Sequence, residues 1–168
     1  DSQGHCGPDD QGTWEGRMGD GGFVGLGSRR LAILDLSSAG HMPMATGDGR
    51  YTIVYNGEVY NYPELRRDLE ASGHRFRSRS DTEAVLHLYA REGARSLTRL
   101  NGMFALAIWD RERQELFLAR DQFGVKPLYY IQHRQGLAFA SEAKAVLRAP
   151  GCPREMDPAA LHQFLTFL

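Results

Sequence analysis

The sequence predicts an α+β layered sandwich, largely antiparallel sheet with helices packed on its outer faces. Three observations predict it. Short β-prone runs come in neighbouring pairs separated by turn residues. Two helix-period segments with start and stop signals are inserted between those pairs. The composition, 42% hydrophobic and 24% charged, is that of a globular chain and excludes a disordered one. At 168 residues, one domain with a substantial core is expected.

Asp1 to Gly22 reads as turn-forming material, with Gly7-Pro-Asp-Asp10 followed by Gly19-Asp-Gly-Gly22. Phe23 to Leu36 reads as a strand, Leu31 and Ile33 on one face and Ala32 and Leu34 on the other. Two apolar faces predict a strand covered on both sides, and Arg29-Arg30 then needs a partner. The runs Tyr51–Tyr55 and Glu58–Tyr60 flank Asn56-Gly57, a hairpin signal because a type I′ turn needs positive φ at both central residues. A helix follows, with Pro63 suited to its first turn, Leu65 and Leu69 on one face, and Gly73 as its stop. Phe76 is assigned to a short strand. Ser80-Asp-Thr-Glu83 has capping-box spacing before the apolar run Ala84 to Tyr89, and Gly93 ends that helix.

Met103 to Trp109 and Leu116 to Ala119 form a strand pair around the polar turn Asp110–Gln114, and Leu128–Ile131 with Leu137–Ala140 form another. Glu142 to Leu147 is a short helix, Pro150-Gly-Cys-Pro153 a linker, and Asp157-Pro158 the start of a last helix whose Phe164 and Phe167 have no local cover. The sequence has no internal repeat and no low-complexity segment.

A net charge of -1 gives no electrostatic case for nucleic acid or an anionic membrane, and no apolar run approaches membrane-spanning length. Cys6 and Cys152 lie far apart, with no metal-ligand spacing around either, so no disulfide framework and no metal site are expected and a cytoplasmic setting fits. A homodimer stays open, because nothing in the sequence fixes an oligomeric state.

Three polar points could carry chemistry: Arg30 on its strand, Asn56-Gly57-Glu58 at the hairpin tip, and Ser80-Asp81 at a helix start. Each has a plainer reading. Arg30 could pair with a structural carboxylate, Asn56-Gly57 could be only a turn, Glu58 could be solvated, and Asp81 could be a first-turn acid. Together they suit a free amino acid with a reactive side-chain carbonyl. Arg30 would take the α-carboxylate in bidentate fashion and Asp81 the α-ammonium, while Asn56 Nδ2 and the Gly57 N–H would face a tetrahedral oxyanion.

The segments Gly7-Pro-Asp-Asp10, Arg29-Arg-Leu-Ala-Ile-Leu-Asp35, Gly40-His-Met-Pro-Met44, Tyr55-Asn-Gly-Glu-Val-Tyr-Asn61, Ser80-Asp-Thr-Glu83, Asn101-Gly-Met-Phe-Ala105 and Arg120-Asp-Gln-Phe-Gly-Val-Lys-Pro-Leu-Tyr-Tyr130 resemble the glutaminase domain of glutamine-hydrolysing asparagine synthetases. That domain is a class II glutamine amidotransferase of the N-terminal-nucleophile type. The resemblance covers nearly the whole chain and implies a four-layer α/β/β/α sandwich. It implies hydrolysis of glutamine to glutamate and ammonia, with the ammonia passed to an ATP-using synthetase domain in the same polypeptide or as a partner. Aspartate is the default acceptor. No cofactor is expected in this domain; ATP and Mg belong to the synthetase domain. Residues 1–149 would be the glutaminase domain, and residues 150–168 the linker and first helix towards the synthetase.

The resemblance also assigns residues. Arg30 matches the carboxylate-binding arginine, Leu31 and Leu34 match positions whose backbone lines the glutamine pocket, and Asn56 and Gly57 match the oxyanion hole. Glu58 and Asp81 match further glutamine-binding positions, with Asp81 the ammonium partner. The Arg120 to Tyr130 segment carries only a structural or domain-interface role.

Two features depart from that pattern. The family's nucleophile is a cysteine at the mature N-terminus whose α-amine is the base, with an unperturbed pKa of about 7.7–8.0. This chain begins at Asp1, so that cysteine and the first strand it opens are not in it, and the chain as it stands is expected not to hydrolyse glutamine. Cys6 is followed by Gly, as the family's nucleophile is. However, His5-Cys-Gly-Pro-Asp9 aligns with the family's His-Arg-Gly-Pro-Asp, and Gly7-Pro8 cannot pair in a strand. The second departure is that no pyrophosphate-binding loop appears. The alternative to an enzyme part is a non-catalytic glutamine-binding or scaffold domain that partners a synthetase.

Overall fold

In a computed structural model, which describes residues 7, 9–31, 37–134 and 136–167, the organising element is a long strand, β4 (Tyr51–Val59). The elements before it are β1 (Asp10–Arg17), β2 (Phe23–Arg30) and β3 (Met44–Ala45). After it come α1 (Tyr62–Ala71), α2 (Asp81–Glu92), β5 (Gly102–Asp110), β6 (Glu115–Arg120), β7 (Tyr129–His133), β8 (Gly136–Ala140), α3 (Ala143–Val146) and α4 (Pro158–Phe167). The class is α+β, and every described strand pair is antiparallel.

The chain divides into two compact units, Asp1–Pro127 and Leu128–Leu168. In the first, β1 pairs with β2, and a four-stranded sheet runs in the order β3-β4-β5-β6. Ile53, Tyr55 and Val59 from one face of β4 meet Leu65 and Leu69 of α1 and Val85 and Leu88 of α2 in a single apolar core. Thr52 and Val54 on the opposite face are buried too, and β2 runs against β4. At one end of the sheet Arg50 makes a bidentate pair with the buried Asp110, Nε to Oδ1 at 3.3 Å and Nη2 to Oδ2 at 3.0 Å. In the second unit, β7 and β8 form a hairpin on which α3 packs, and Asp157 caps α4 by accepting from the Ala159 N–H at 2.8 Å.

Several expectations need correction. Asn56-Gly57 is not a hairpin turn but the middle of β4, paired with Ala105 and Phe104 of β5. Gly57 is glycine for a steric reason: a Cβ there would run into the Met103 carbonyl and the Phe104 backbone of the opposing strand. The leading segment is not all turn, since Asp10–Arg17 alternates in exposure along β1, leaving only the tip between β1 and β2 as the glycine turn. β2 is not covered on both sides: Phe23 is 80% exposed, and the strand ends at Arg30. The Ala32, Ile33, Leu34 and Cys6 readings lie outside the described residues. Phe76 lies in irregular chain rather than a strand, held because the Arg66 guanidinium stacks 4.4 Å above its ring centroid.

Candidate functional site

The β4–β5 register decides which way Gly57 points. Its partner Phe104 spends both backbone groups on the β6 side: its N–H donates to Asp121 Oδ2 at 3.2 Å, and its carbonyl accepts from the Asp121 N–H at 2.8 Å. Gly57 and Phe104 are therefore a non-hydrogen-bonded antiparallel pair, so the Gly57 N–H is turned away from β5. β3 covers that edge of β4 only at Thr52 and Ile53. Val59 has the same orientation as Gly57, and its N–H donates to Asp81 Oδ2 at 3.0 Å. The Gly57 N–H and the Asp81 carboxylate thus share one edge of β4, two residues or about 7 Å apart along the strand.

Asp81 is the first residue of α2 and is 5% exposed. Its Oδ2 accepts from the Tyr55 hydroxyl at 2.8 Å as well as from Val59, and its Oδ1 accepts from the Thr82 N–H at 2.9 Å. No lysine, arginine or histidine among the described residues forms an ion pair with it. An ionised carboxylate offers about four acceptor positions, so Oδ1 keeps one. Burial, and then the Asp81 charge, push the Tyr55 phenol far up, so it stays a donor. Among the described residues the result is a buried carboxylate without a cation partner, an arrangement that a bound ammonium would complete.

The segment entering α2 is tied down by Glu83. Its carboxylate accepts from the Arg77 N–H at 2.9 and 3.1 Å, the Ser78 N–H at 2.7 Å and the Ser78 hydroxyl at 2.7 Å. Ser80 caps the helix by accepting from the Glu83 N–H at 3.3 Å. Burial pushes the Glu83 carboxyl up, but the His87 imidazole, 3.7 Å away, and the Ser78 and Arg77 donors outweigh it and bring it down to about 2.

Arg30 ends β2. Its Nη1 points at the Ser37 carbonyl at 3.5 Å, and its guanidinium lies so close to Gly40 that a Cβ there would collide with it. Leu31 is 57% exposed, and Leu34 lies outside the described residues. By strand alternation Asn56 and Glu58 project from the face of β4 opposite Tyr55 and Val59. Asp81 is therefore brought to the Gly57 edge, whereas the Asn56 and Glu58 side chains stand on the face turned away from the helices.

The Arg120 to Tyr130 motif has its own anchor. Asp121 accepts from the N–H groups of Phe104, Phe123, Val125 and Lys126, all within 3.0–3.2 Å. Burial raises its carboxyl, but these donors prevail and hold it at about 2. Arg120 Nε donates to the Lys126 carbonyl at 2.6 Å, closing the same loop, which is tied to β5 beside Gly57.

A family model described as a glutamine amidotransferase domain matches residues 1–168, the full chain. The chain belongs to that family. This glutamine amidotransferase domain is 42% identical over 163 residues to asparagine synthetase [glutamine-hydrolyzing] 1 of Bacillus subtilis, a match covering 97% of the chain and 25% of that protein. It is 43% identical over 168 residues to a putative asparagine synthetase [glutamine-hydrolyzing] of Mycobacterium bovis, covering 95% of the chain and 26% of that protein. The chain thus spans about a quarter of the curated relatives it matches. Among solved structures, the glutamine phosphoribosylpyrophosphate amidotransferase of B. subtilis superposes with a TM-score of 0.61 at 28% identity, covering 72% of this chain and 28% of that one.

Within the amidotransferase domain, sequence reasoning missed Tyr55 and Gly40 and misjudged Glu83. The Ser80-x-x-Glu83 spacing marked Glu83 as half of a capping box, in which it would serve the Ser80 N–H. Instead it serves Arg77 and Ser78, and the Ser80 N–H is satisfied by the Ser78 hydroxyl at 3.2 Å.

Proposed function

We propose that this domain binds glutamine and hydrolyses its side-chain amide to glutamate and ammonia. The observation that carries the reading is Asp81, a buried carboxylate with no cation partner among the described residues, on the same strand edge as the Gly57 N–H. The α-ammonium occupies the remaining position on Asp81 Oδ1, and Arg30 takes the α-carboxylate. The backbone of Leu31 lines the pocket, and Glu58 makes a further contact with the amino acid. As the amide carbon becomes tetrahedral, its oxygen moves onto the Gly57 N–H, a donor already oriented by the β4–β5 register, and onto Asn56 Nδ2. The attack is assigned to a cysteine thiol at the mature N-terminus, whose α-amine takes the thiol proton and passes it to the departing ammonia. Water then releases glutamate from the thioester.

The ammonia is passed to an ATP- and Mg-dependent synthetase domain in the same polypeptide or in a partner, with aspartate the default acceptor and the cytoplasm the setting. Two relatives whose names include glutamine-hydrolysing asparagine synthetase, each about four times the matched length, support the pairing with a synthetase domain. Glutamate release from glutamine by the encoded protein tests the proposal. Release that disappears in Asp81→Asn supports it. Glutamine binding without release, in a protein that does not open with Met-Cys-Gly, favours the scaffold reading instead.

A further inference from the structure

Resting on the reading of Asp81 as the ammonium partner, we propose that Glu83 is a positioning residue that sets the Asp81 carboxylate for the substrate's α-ammonium. Glu83 is 3% exposed and sits two positions past Asp81 in the first turn of α2. Its carboxylate gathers the Arg77 and Ser78 N–H groups and the Ser78 hydroxyl. The Ser78 hydroxyl lies 2.9 Å from that of Ser80 and accepts from the Ser80 N–H at 3.2 Å, and Ser80 in turn caps the Glu83 N–H. The ring therefore runs from the Glu83 side chain through Ser78 and Ser80 back to the Glu83 backbone, and Asp81 is the residue that leaves it. From α1, Arg66 Nη1 donates to the Ser78 carbonyl at 2.7 Å and holds the same loop from outside.

A helix cap needs only Ser80. The additional buried carboxylate fixes where the loop enters the helix, and so where the first-turn side chain starts. Asp81 must reach Tyr55 and Val59 with Oδ2 while leaving Oδ1 towards the ligand, and a misplacement of about 1 Å at such a site is costly. Gln at this position keeps the size but turns an acceptor into a donor facing the Arg77 and Ser78 N–H groups.

The test compares two ligands of the encoded protein: glutamine, and glutaramate, which carries hydrogen in place of the α-ammonium. Dissociation constants are measured for the unmodified protein, Glu83→Gln, Ser78→Ala and Asp81→Asn. Glu83→Gln is expected to weaken glutamine about tenfold, ~1.4 kcal/mol, and to leave glutaramate within about twofold. Ser78→Ala should act in the same direction with a smaller effect, and it decides the question where Glu83→Gln does not fold. Equal weakening of both ligands, or of neither, overturns the positioning role. Asp81→Asn separates the two readings. If it discriminates between the ligands and Glu83→Gln does not, only the positioning role fails; if Asp81→Asn does not discriminate, the ammonium reading fails and takes this one with it.

Discussion

The Tyr55 hydroxyl donates to Asp81 Oδ2 at 2.8 Å, joining the middle of β4 to the first residue of α2. This bond and the Val59 N–H on the same oxygen hold the helix terminus against the strand edge that carries the Gly57 N–H. Sheet–helix packing and the candidate binding geometry therefore meet at one buried carboxylate. A change that loosens the packing there should loosen the ligand site with it.

Tyr55→Phe keeps the ring in the core and removes only the donor. Hydrogen bonds to charged groups contribute roughly 1.5–3 kcal/mol, so a loss of about 2 kcal/mol in unfolding free energy is expected by urea titration. Glutamine affinity should fall as well, because Oδ2 is then held by the Val59 N–H alone. Unchanged stability and unchanged affinity together would remove the Tyr55–Asp81 bond from the account.

Gly57→Ala introduces a Cβ against the Met103 carbonyl and the Phe104 backbone of β5. Backbone cannot give way as a side-chain tip can, so overpacking of the order of 1–3 kcal/mol is expected as a lowered melting temperature. A variant that melts with the parent would show that the two strands do not approach as closely as described.

Gly40→Ala should behave differently. The three atoms nearest its new methyl group all belong to the Arg30 guanidinium, the mobile end of a long side chain. Arg30 can swing aside, so the loss of stability should be smaller than for Gly57→Ala. Glutamine binding should weaken several-fold once the guanidinium is displaced. Calorimetry that finds binding intact would take Arg30 out of carboxylate recognition.

The pH dependence follows from Glu83 and Asp121. Both carboxyls sit at about 2 in the folded protein, below their ordinary values of 4.5 and 3.8. A depressed folded value means the unfolded chain binds protons first as pH falls. The stability these groups contribute is therefore fully present above about pH 5 and is lost progressively towards pH 2. Urea midpoints should fall across that window, and Glu83→Gln should flatten part of the decline. A midpoint flat from pH 5 to pH 2 would contradict the two buried networks.

Sequence reasoning found the strand pairs around Asp110–Gln114 and around His133–Gly136 because each has polar turn residues between apolar runs. It found α2 because Ser80 caps the helix as its spacing predicts. It misread Asn56-Gly57 because a glycine that permits close strand approach looks, in one dimension, like a glycine that permits positive φ. The distinction rests on Phe104, which is far away in sequence. Arg30 and Asp81 were recognisable as a charged pair suited to an amino acid, and the domain family was recognisable from its motifs. The Gly57 edge was not, since its exposure depends on the register with β5 and on how short β3 is.

The most direct test of the account is a crystal structure of the protein with bound glutamine. The α-ammonium should lie within about 3 Å of Asp81 Oδ1, normal hydrogen-bond reach, with the side-chain amide oxygen directed at the Gly57 N–H. Glutamine bound with its ammonium away from Asp81, or with its amide on the opposite side of β4 from that N–H, would contradict it.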